Sequence, residues 1–359
     1  MMDDIRVEWL NLPRELWLVI LSKNINNTFD VIRFRGVCPL WRSVIPPSFA
    51  SPSHTLGIPR GKVSFLQASK VYRLEPLVST YYFNKGWIIK IEETKSEKLR
   101  ILDALNNTHI SYTRRKTLDF TNLRVTELFQ ACTLNFSKDG GDLIALKNVY
   151  KVVMFLVEDH DQPFFALLVG RVFWVSNIGD KNLKRVDDEN KKFDDMILHK
   201  GKVYVVDGRG AIYWFNGSSS KLVQFSPNLN KVGDKKYLVE SQESLFVVDM
   251  YRDIGDIKVS RFDEKSNRWF HAKSLGDYLF LLGIDSNFSL STKNYHGFRR
   301  NCIYFHTNKG TDCFSLKTSE FEHIDDIFLP CLSLFNFDSN PNNILCGANE
   351  LKETTEETR

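Results

Sequence analysis

Residues 193–225 read FDDMILHKGKVYVVDGRGAIYWFNGSSSKLVQF, and this stretch decides the fold. Apolar and polar residues alternate in four short runs: Met196 to His199, Lys202 to Val206, Ala211 to Phe215 and Lys221 to Phe225. A period of two puts successive side chains on opposite faces of a strand. Between the runs stand Lys200-Gly201, Asp207-Gly208-Arg209-Gly210 and Asn216-Gly217, the residue types that tight hairpin turns require. The stretch therefore predicts four antiparallel strands in one meander.

The same text recurs downstream. Tyr237 to Ser241, Ser244 to Met250, Ile257 to Phe262 and Arg268 to Ala272 form a second set. Leu279 to Ile284, Asn301 to His306, Thr311 to Leu316 and Glu320 to Ile324 form a third. Related phrases, Gly-Trp-Ile-Ile at 86, Gly-Arg-Val-Phe-Trp-Val at 170, Gly-Lys-Val-Tyr-Val-Val at 201 and Ser-Leu-Phe-Val-Val at 244, mark a strand in successive units. Four-stranded units recurring roughly every 40 to 45 residues are the pattern of propeller blades. The expectation is a mostly β domain, a six- or seven-bladed β-propeller, with two stacked β-sandwiches as the competing arrangement.

Before residue 50 the periodicity is helical. Pro13 suits a first helical position, Glu15 suits the first turn, and Leu12, Leu16 and Ile20 recur at every fourth position with Trp17 and Leu21 beside them. Asn24 to Thr28 breaks this helix; Asp30 can cap a second one carrying Val31, Phe34 and Val37. Pro39 starts a third turn with Trp41, Val44 and Ile45, and Pro46-Pro47 ends it. Three helices this short cannot bury their apolar stripes on one another, so the module needs a second surface.

Composition narrows the function classes. The chain has 359 residues, 43% apolar and 26% charged, which is globular usage; its 27 Phe, 12 Tyr and 7 Trp favour strands. A net charge of +4, with the basic residues spread along the chain, argues against a nucleic-acid binder. Arg114, Arg115 and Lys116 form the one compact basic cluster, read as a solvated loop. Six cysteines (Cys38, Cys132, Cys302, Cys313, Cys331, Cys346) without compact spacing suggest free thiols in a reducing compartment. The opening Met1, Met2, Asp3, Asp4 does not look like an export signal, and Phe164 to Val175 is too short and too interrupted for a membrane span. On these grounds a soluble protein is expected, and the Asn-x-Ser/Thr triplets are read as chance.

Enzyme chemistry leaves no recognisable trace in the sequence. There is no Gly-x-Ser-x-Gly, His-Glu-x-x-His or phosphate-binding loop. Gly208-Arg209-Gly210 leads into a strand and reads as a turn. His296, Cys302, His306 and Cys313 match no compact zinc module, and the two cysteines read as small core residues. Asp194-Asp195 and Asp249 stand beside turn residues and read as solvated turn caps. No catalytic, metal-binding or cofactor-binding residue is assigned.

Leu12-Pro13-Arg14-Glu15-Leu16, followed by Ile20-Leu21, Phe34-Arg35, Val37-Cys38 and Trp41-Arg42-Ser43, resembles the F-box in its plant form. Behind it, GWIIKIEE at 86–93, FDDMILHKGKVYVVD at 193–207, KYLVESQESLFVVD at 236–249, KSLGDYLFLLGID at 273–285 with Phe288-Ser289, and NCIYF at 301–305 resemble plant F-box proteins with a KIB-type β-propeller. The departures are Gly36, Pro39 and the stretch LDALNNTHI at 102–110, where relatives often carry an Asn-Pro-Leu turn.

The resemblance implies an F-box at 9–47, a linker at 48–60 and a KIB-type β-propeller-like interaction domain at 61–346; the tail at 347–359, polar and without aromatics, is read from its composition as disordered. It implies the substrate-recognition subunit of a Skp-cullin-F-box ubiquitin ligase, itself non-catalytic. The F-box would dock on a Skp-type adaptor, and through it on cullin, while the propeller binds an unknown protein substrate; no nucleic acid, membrane or cofactor is expected. Carried over by position, the adaptor-binding residues are Leu12, Pro13, Leu16, Ile20, Leu21, Val31, Phe34, Val37, Cys38 and Trp41, of which Phe34, Val37 and Trp41 could equally serve to pack the helices. The location implied is nucleus or cytoplasm. Two alternatives stay open: a small-molecule-binding or enzymatic propeller, and an F-box protein that sequesters partners without ubiquitin transfer.

Overall fold

A computed structural model describes residues 12–24, 30–31, 34, 39–44, 55–58, 62–76, 87–93, 99–110, 123–137, 143–145, 149–157, 163–177, 183–186, 191–293, 298–307 and 310–324. Helices α1 (Arg14–Asn24) and α2 (Pro39–Val44) come first. Among the described residues, everything after them is strand, turn or irregular chain.

Five units follow in chain order. The first holds β1 (Thr55–Ile58), β2 (Lys62–Pro76), β3 (Trp87–Glu93), β4 (Leu99–Asp103), β5 (Leu123–Ser137) and β6 (Leu143–Ala145). The second holds β7 (Val149–Phe155), β8 (Phe164–Val169), β9 (Val172–Asn177) and β10 (Lys184–Arg185). These two share one ten-stranded sheet in the order β10-β9-β8-β7-β5-β2-β3-β4, with β1 on β2 and β6 on β5, and the junction between the units is the single pair Cys132–Val152. β1 lies inside the stretch that the sequence assigns to a linker.

The third unit, β11 (Phe193–His199), β12 (Lys202–Asp207), β13 (Ile212–Asn216) and β14 (Lys221–Gln224), is the meander expected from residues 193–225. Its first turn puts Lys200 and Gly201 at φ 47° and 75°, the left-handed pair that matches strand twist in a two-residue hairpin. In the second turn, Asp207 Oδ1 accepts the Arg209 and Ala211 N–H groups at 2.8 and 3.0 Å. The fourth unit, β15 (Lys235–Ser241), β16 (Ser244–Tyr251), β17 (Asp256–Asp263) and β18 (Arg268–His271), repeats the plan. Gly233 precedes it where any Cβ would run into the Met250 carbonyl, so the chain can turn in close only with glycine there.

The fifth unit departs from the expected meander. It comprises β19 (Tyr278–Leu282), β20 (Asn287–Ser291), β21 (Cys302–Thr307), β22 (Gly310–Ser315) and β23 (Glu320–Ile324) in the order β20-β19-β21-β22-β23. β20 is a strand the sequence reading missed, and it takes the edge position. β19 then runs parallel to β21, a pairing that no hairpin can make.

Each unit buries its faces on its neighbours. Phe155, Ala166 and Phe173 of the second unit pack on Phe193, Met196 and Phe215 of the third. Tyr204, Val206 and Ile212 meet Leu238, Leu245 and Val247 of the fourth. Val239, Val248 and Val259 meet Phe280, Ile303 and Phe314 of the fifth. The fifth returns to the first: Leu279, Leu281 and Leu290 share a core with Val71, Ile88 and Leu105, and the Phe129 and Phe288 rings stand 4.6 Å apart. Among the described residues the strands thus fall into four sheets, of ten, four, four and five strands, with the fifth unit packed back on the first; the blade number of six or seven anticipated from spacing rests also on stretches outside the described residues.

Closure makes the units interdependent, because a unit without neighbours exposes two apolar faces. A chain ending at Glu189 keeps the first two units and loses the third-unit partners of Phe155, Ala166 and Phe173. It is expected to show no cooperative thermal transition by circular dichroism, and a sharp reversible melt of that fragment would show the units to be autonomous.

Candidate functional site

Two regions hold side chains in arrangements that the β scaffold alone does not require. The first is the helical head. Pro13 opens α1, and its carbonyl accepts the Leu16 and Trp17 N–H groups at 3.0 and 3.3 Å. Trp17, Val31 and Val44 are buried together, with Leu12, Ile20, Phe34 and Trp41 packed around them. The Trp41 ring lies 4.7 Å from Trp17 and 5.1 Å from Phe34.

At about 100° per residue, Leu16 stands about 100° and Val19 about 200° round the helix from Trp17. Both therefore turn away from this small core, and their exposures are 48% and 50%. α2 does the same with Leu40, at 37%. Of the ten positions expected to face an adaptor, Pro13 and Leu16 are exposed; Leu12, Ile20, Phe34 and Trp41 are half-buried in the packing of the head; and Val31 is its interior. The Leu21 side chain and residues Val37 and Cys38 lie outside the described residues. Val19 and Leu40, which the structure also exposes, were not among those ten. The signal was available: two more apolar positions lying off the Trp17 side of the helices.

The second region is a buried network of charges where the units meet. Lys90 on β3, fully buried, pairs with Asp285, which follows β19. Asn107 bridges them, accepting from Lys90 Nζ at 2.8 Å and donating to Asp285 at 3.0 Å. Asn107 is held at φ 60° by a turn in which Asp103 Oδ1 accepts the Leu105 and Asn106 N–H groups. The LDALNNTHI stretch thus builds an Asp-capped turn that delivers Asn107 to the ion pair.

Asp195 on β11 is the second node. Its Oδ1 lies 2.6 Å from Lys151 Nζ of β7, and its Oδ2 accepts the Leu238 N–H of β15 at 2.7 Å and Asn287 Nδ2 of β20 at 2.6 Å. Asp194 beside it pairs with Arg171 and accepts the Lys236 N–H at 3.2 Å, and Lys236 Nζ stands 3.5 Å from Asp249. Asp194, Asp195 and Asp249 are therefore not the solvated turn caps that their sequence neighbours suggested. They are interior strand residues whose charges are matched by Arg171 of the β8–β9 turn, Lys151 of β7 and Lys236 of β15 respectively.

Burial pushes the Asp194 carboxyl up despite Arg171 beside it. Burial likewise draws the Lys151 ammonium down, against the pull of Asp195. At Asp285 burial acts upward, but the Lys90 charge and the hydrogen bonds from Lys90, Asn107 and Ser286 outweigh it and hold the group below its ordinary value. Burial raises the nearby Cys132 thiol to about 11, so it stays protonated and unreactive at neutral pH. Every ionised group here has a structural partner, and none is paired with a nucleophile. This is the pattern of a cross-braced interior rather than of a reaction centre.

Cys302 and Cys313 are buried on neighbouring strands, as small core residues should be. His306 meets Asn106 instead of a metal-ligand set, and His296 lies outside the described residues. Among the described residues no group of three or more His, Cys, Asp or Glu could hold a metal ion, and no helix is long and apolar enough to cross a membrane.

The sequence profile of the KIB1-4 beta-propeller family matches residues 55–330. The chain is 31% identical over 335 residues to F-box protein SKIP23 of Arabidopsis thaliana, covering 80% of this chain and 81% of that one. It is 27% identical to F-box protein At4g35733 of the same plant, over 91% of this chain and 97% of the other. F-box protein At2g26160, also from Arabidopsis thaliana, is 28% identical over 84% of this chain and 96% of its own length.

The interior network generates a pH prediction. Asp285 has a folded value below its unfolded one, so its contribution is present above about pH 4 and is lost as pH falls through the folded value. Asp285→Asn leaves the Lys90 charge buried without its counter-charge and should cost about 3 to 5 kcal/mol at neutral pH. The variant should also lose part of the acid limb of stability against pH, read from urea midpoints between pH 7 and pH 3. An acid limb parallel to that of the wild type would show that the pair does not stabilise the fold.

Proposed function

The chain belongs to the plant family of F-box proteins that carry a KIB1-4 beta-propeller, and from that premise we propose that it is a substrate-recognition subunit of a Skp-cullin-F-box ubiquitin ligase. The head docks on a Skp-type adaptor, which joins it to cullin; the propeller holds the protein to be ubiquitinated; the chain performs no chemistry itself. Its place of action under this reading is the nucleus or the cytoplasm.

One observation carries the docking half of this reading. α1 and α2 close a small core around Trp17 and still turn Leu16, Val19 and Leu40 to solvent. Large apolar side chains held outward on short helices suit a partner's groove, where burying each contributes about 1.5 to 3 kcal/mol. Leu16, Val19, Leu40 and Pro13 are accordingly the proposed adaptor contacts. Val31, Phe34 and Trp41 act indirectly, by fixing the angle between the helices.

Replacing Leu16 by Glu tests the contact without touching the head's core. The expected loss in adaptor binding is about 2 to 4 kcal/mol, or roughly thirty- to several-hundred-fold in Kd. Thermal melting of the β body should not change, since sites without shared contacts act additively. Leu12→Ala with Pro13→Ala should give a comparable loss while also loosening α1, because Leu12 packs inside the head. Titration of purified adaptor against the three proteins reads both effects. Equal affinity for wild type and Leu16→Glu would remove the docking assignment.

A further inference from the structure

The two ends of the third and fourth units differ in charge. Antiparallel register places residues 200–201, 217–220, 242–243 and 264–267 at one end, and residues 208–210, 226–234 and 252–255 at the other. The Arg171 guanidinium joins the second end through Asp194 and stands 3.4 Å from where a Gly208 Cβ would lie.

At this second end the chain exposes or half-exposes Arg171, Lys191, Arg209, Lys235, Arg252 and Lys258, with Lys192 and Lys231 next to them. The carboxylates of these units that reach solvent there, among the described residues, are Asp234, Asp253 and Asp256; Asp194, Asp207 and Asp249 are buried in their own contacts. The acidic run Asp187-Asp188-Glu189 precedes Lys191 and lies outside the described residues. The first end carries a smaller excess: Lys200, Lys202, Lys221, Arg261, Lys265 and Arg268 stand against Glu240, Glu243, Asp263 and Glu264.

Three of the cations at the second end are seated on rings. Lys191 Nζ lies 4.3 Å from the centroid of Tyr213, Lys235 Nζ lies 4.7 Å from that of Tyr237, and Lys258 Nζ lies 4.5 Å from that of Tyr251. An ammonium held over a ring keeps its charge and loses part of its rotamer freedom in advance, which lowers the entropy cost of meeting an anion. Val232 and Ile254 are exposed among these charges, at 46% and 68%. Fixed cations interspersed with apolar side chains complement a peptide that carries carboxylates and apolar residues together.

We propose that this end of the propeller, centred on Lys191, Arg209 and Arg252, is the target-binding surface and that it takes an acidic, partly apolar peptide segment. The inference rests on the ligase reading and names the class of segment that reading leaves open. Carboxylates of the segment lie over the cations, and its apolar residues lie on Val232 and Ile254. Such binding weakens steeply with salt, because the pairs are near solvent and are screened over about 8 Å at physiological ionic strength.

The probe is a fluorescein-labelled random copolymer of glutamate and tyrosine, titrated with the full chain by anisotropy; a lysine-tyrosine copolymer and a single-stranded DNA of matched length are run beside it. The reversal Lys191→Glu/Arg209→Glu/Arg252→Glu is compared with Lys200→Glu/Lys202→Glu/Lys221→Glu at the opposite end. Saturable binding of the acidic copolymer is expected, weakened roughly tenfold or more by the first reversal and about threefold or less by the second. Glutamine at the first three positions should give a smaller loss in the same direction, and it serves as the reading if the reversal lowers the melting temperature. Equal losses at both ends, no saturable binding, or tighter binding of DNA than of the copolymer would overturn the proposal. Adaptor titration on the same preparations separates the two ideas, because docking through α1 and α2 should persist in all of these variants.

Discussion

The architecture depends on a carboxylate that cannot be solvated. Asp195 is held in the interior by Lys151 from the unit before it, by a main-chain N–H from the unit after it, and by Asn287 from the unit beyond that. An ionised group in such a place costs several kcal/mol unless its lone pairs are filled, and here each partner comes from a different unit. Lys90 and Asp285 do the equivalent work where the last unit meets the first. Apolar faces would let the units pack in several registers with similar burial. Charges that must find each other admit one.

The third and fourth units were legible in the sequence almost to the residue, because turn chemistry and alternation are local and residues 193–272 supply both. The first two units were harder. β2 and β5, 15 residues each, are long, and an antiparallel partner 60 or so positions away leaves no hairpin signal between them. β20 was lost for a related reason: Asn287–Ser291 is short, and its place at the sheet edge reverses chain order, which no local pattern announces.

The aspartates show the same limit at the level of chemistry. Asp194, Asp195 and Asp249 have turn residues as sequence neighbours, and only the tertiary structure reveals that Arg171 and Lys151 of the second unit reach the first two and Lys236 of the neighbouring strand reaches the third. In the head, the sequence shows a set of apolar positions but not the faces they take. Leu12, Leu16 and Ile20 look like one stripe, whereas Trp17 fixes which side is inward and leaves Leu16 with Val19 outside. The largest side chain sets the orientation of a short helix, since it contributes the most burial.

The Lys90–Asp285 pair spans 195 positions of chain, and that span has a meaning on the ribosome. At about 5 to 20 residues per second, Asp285 emerges roughly 10 to 40 s after Lys90. Through that interval the first unit carries a cation whose counter-charge in the finished fold has not yet been made, so drying the surroundings of Lys90 costs more then than after the ring closes. Delayed closure keeps early β-strands from settling prematurely into a dry core, and it exposes their edges to neighbouring chains for the same length of time. For this protein the order of synthesis itself separates the two halves of a buried ion pair.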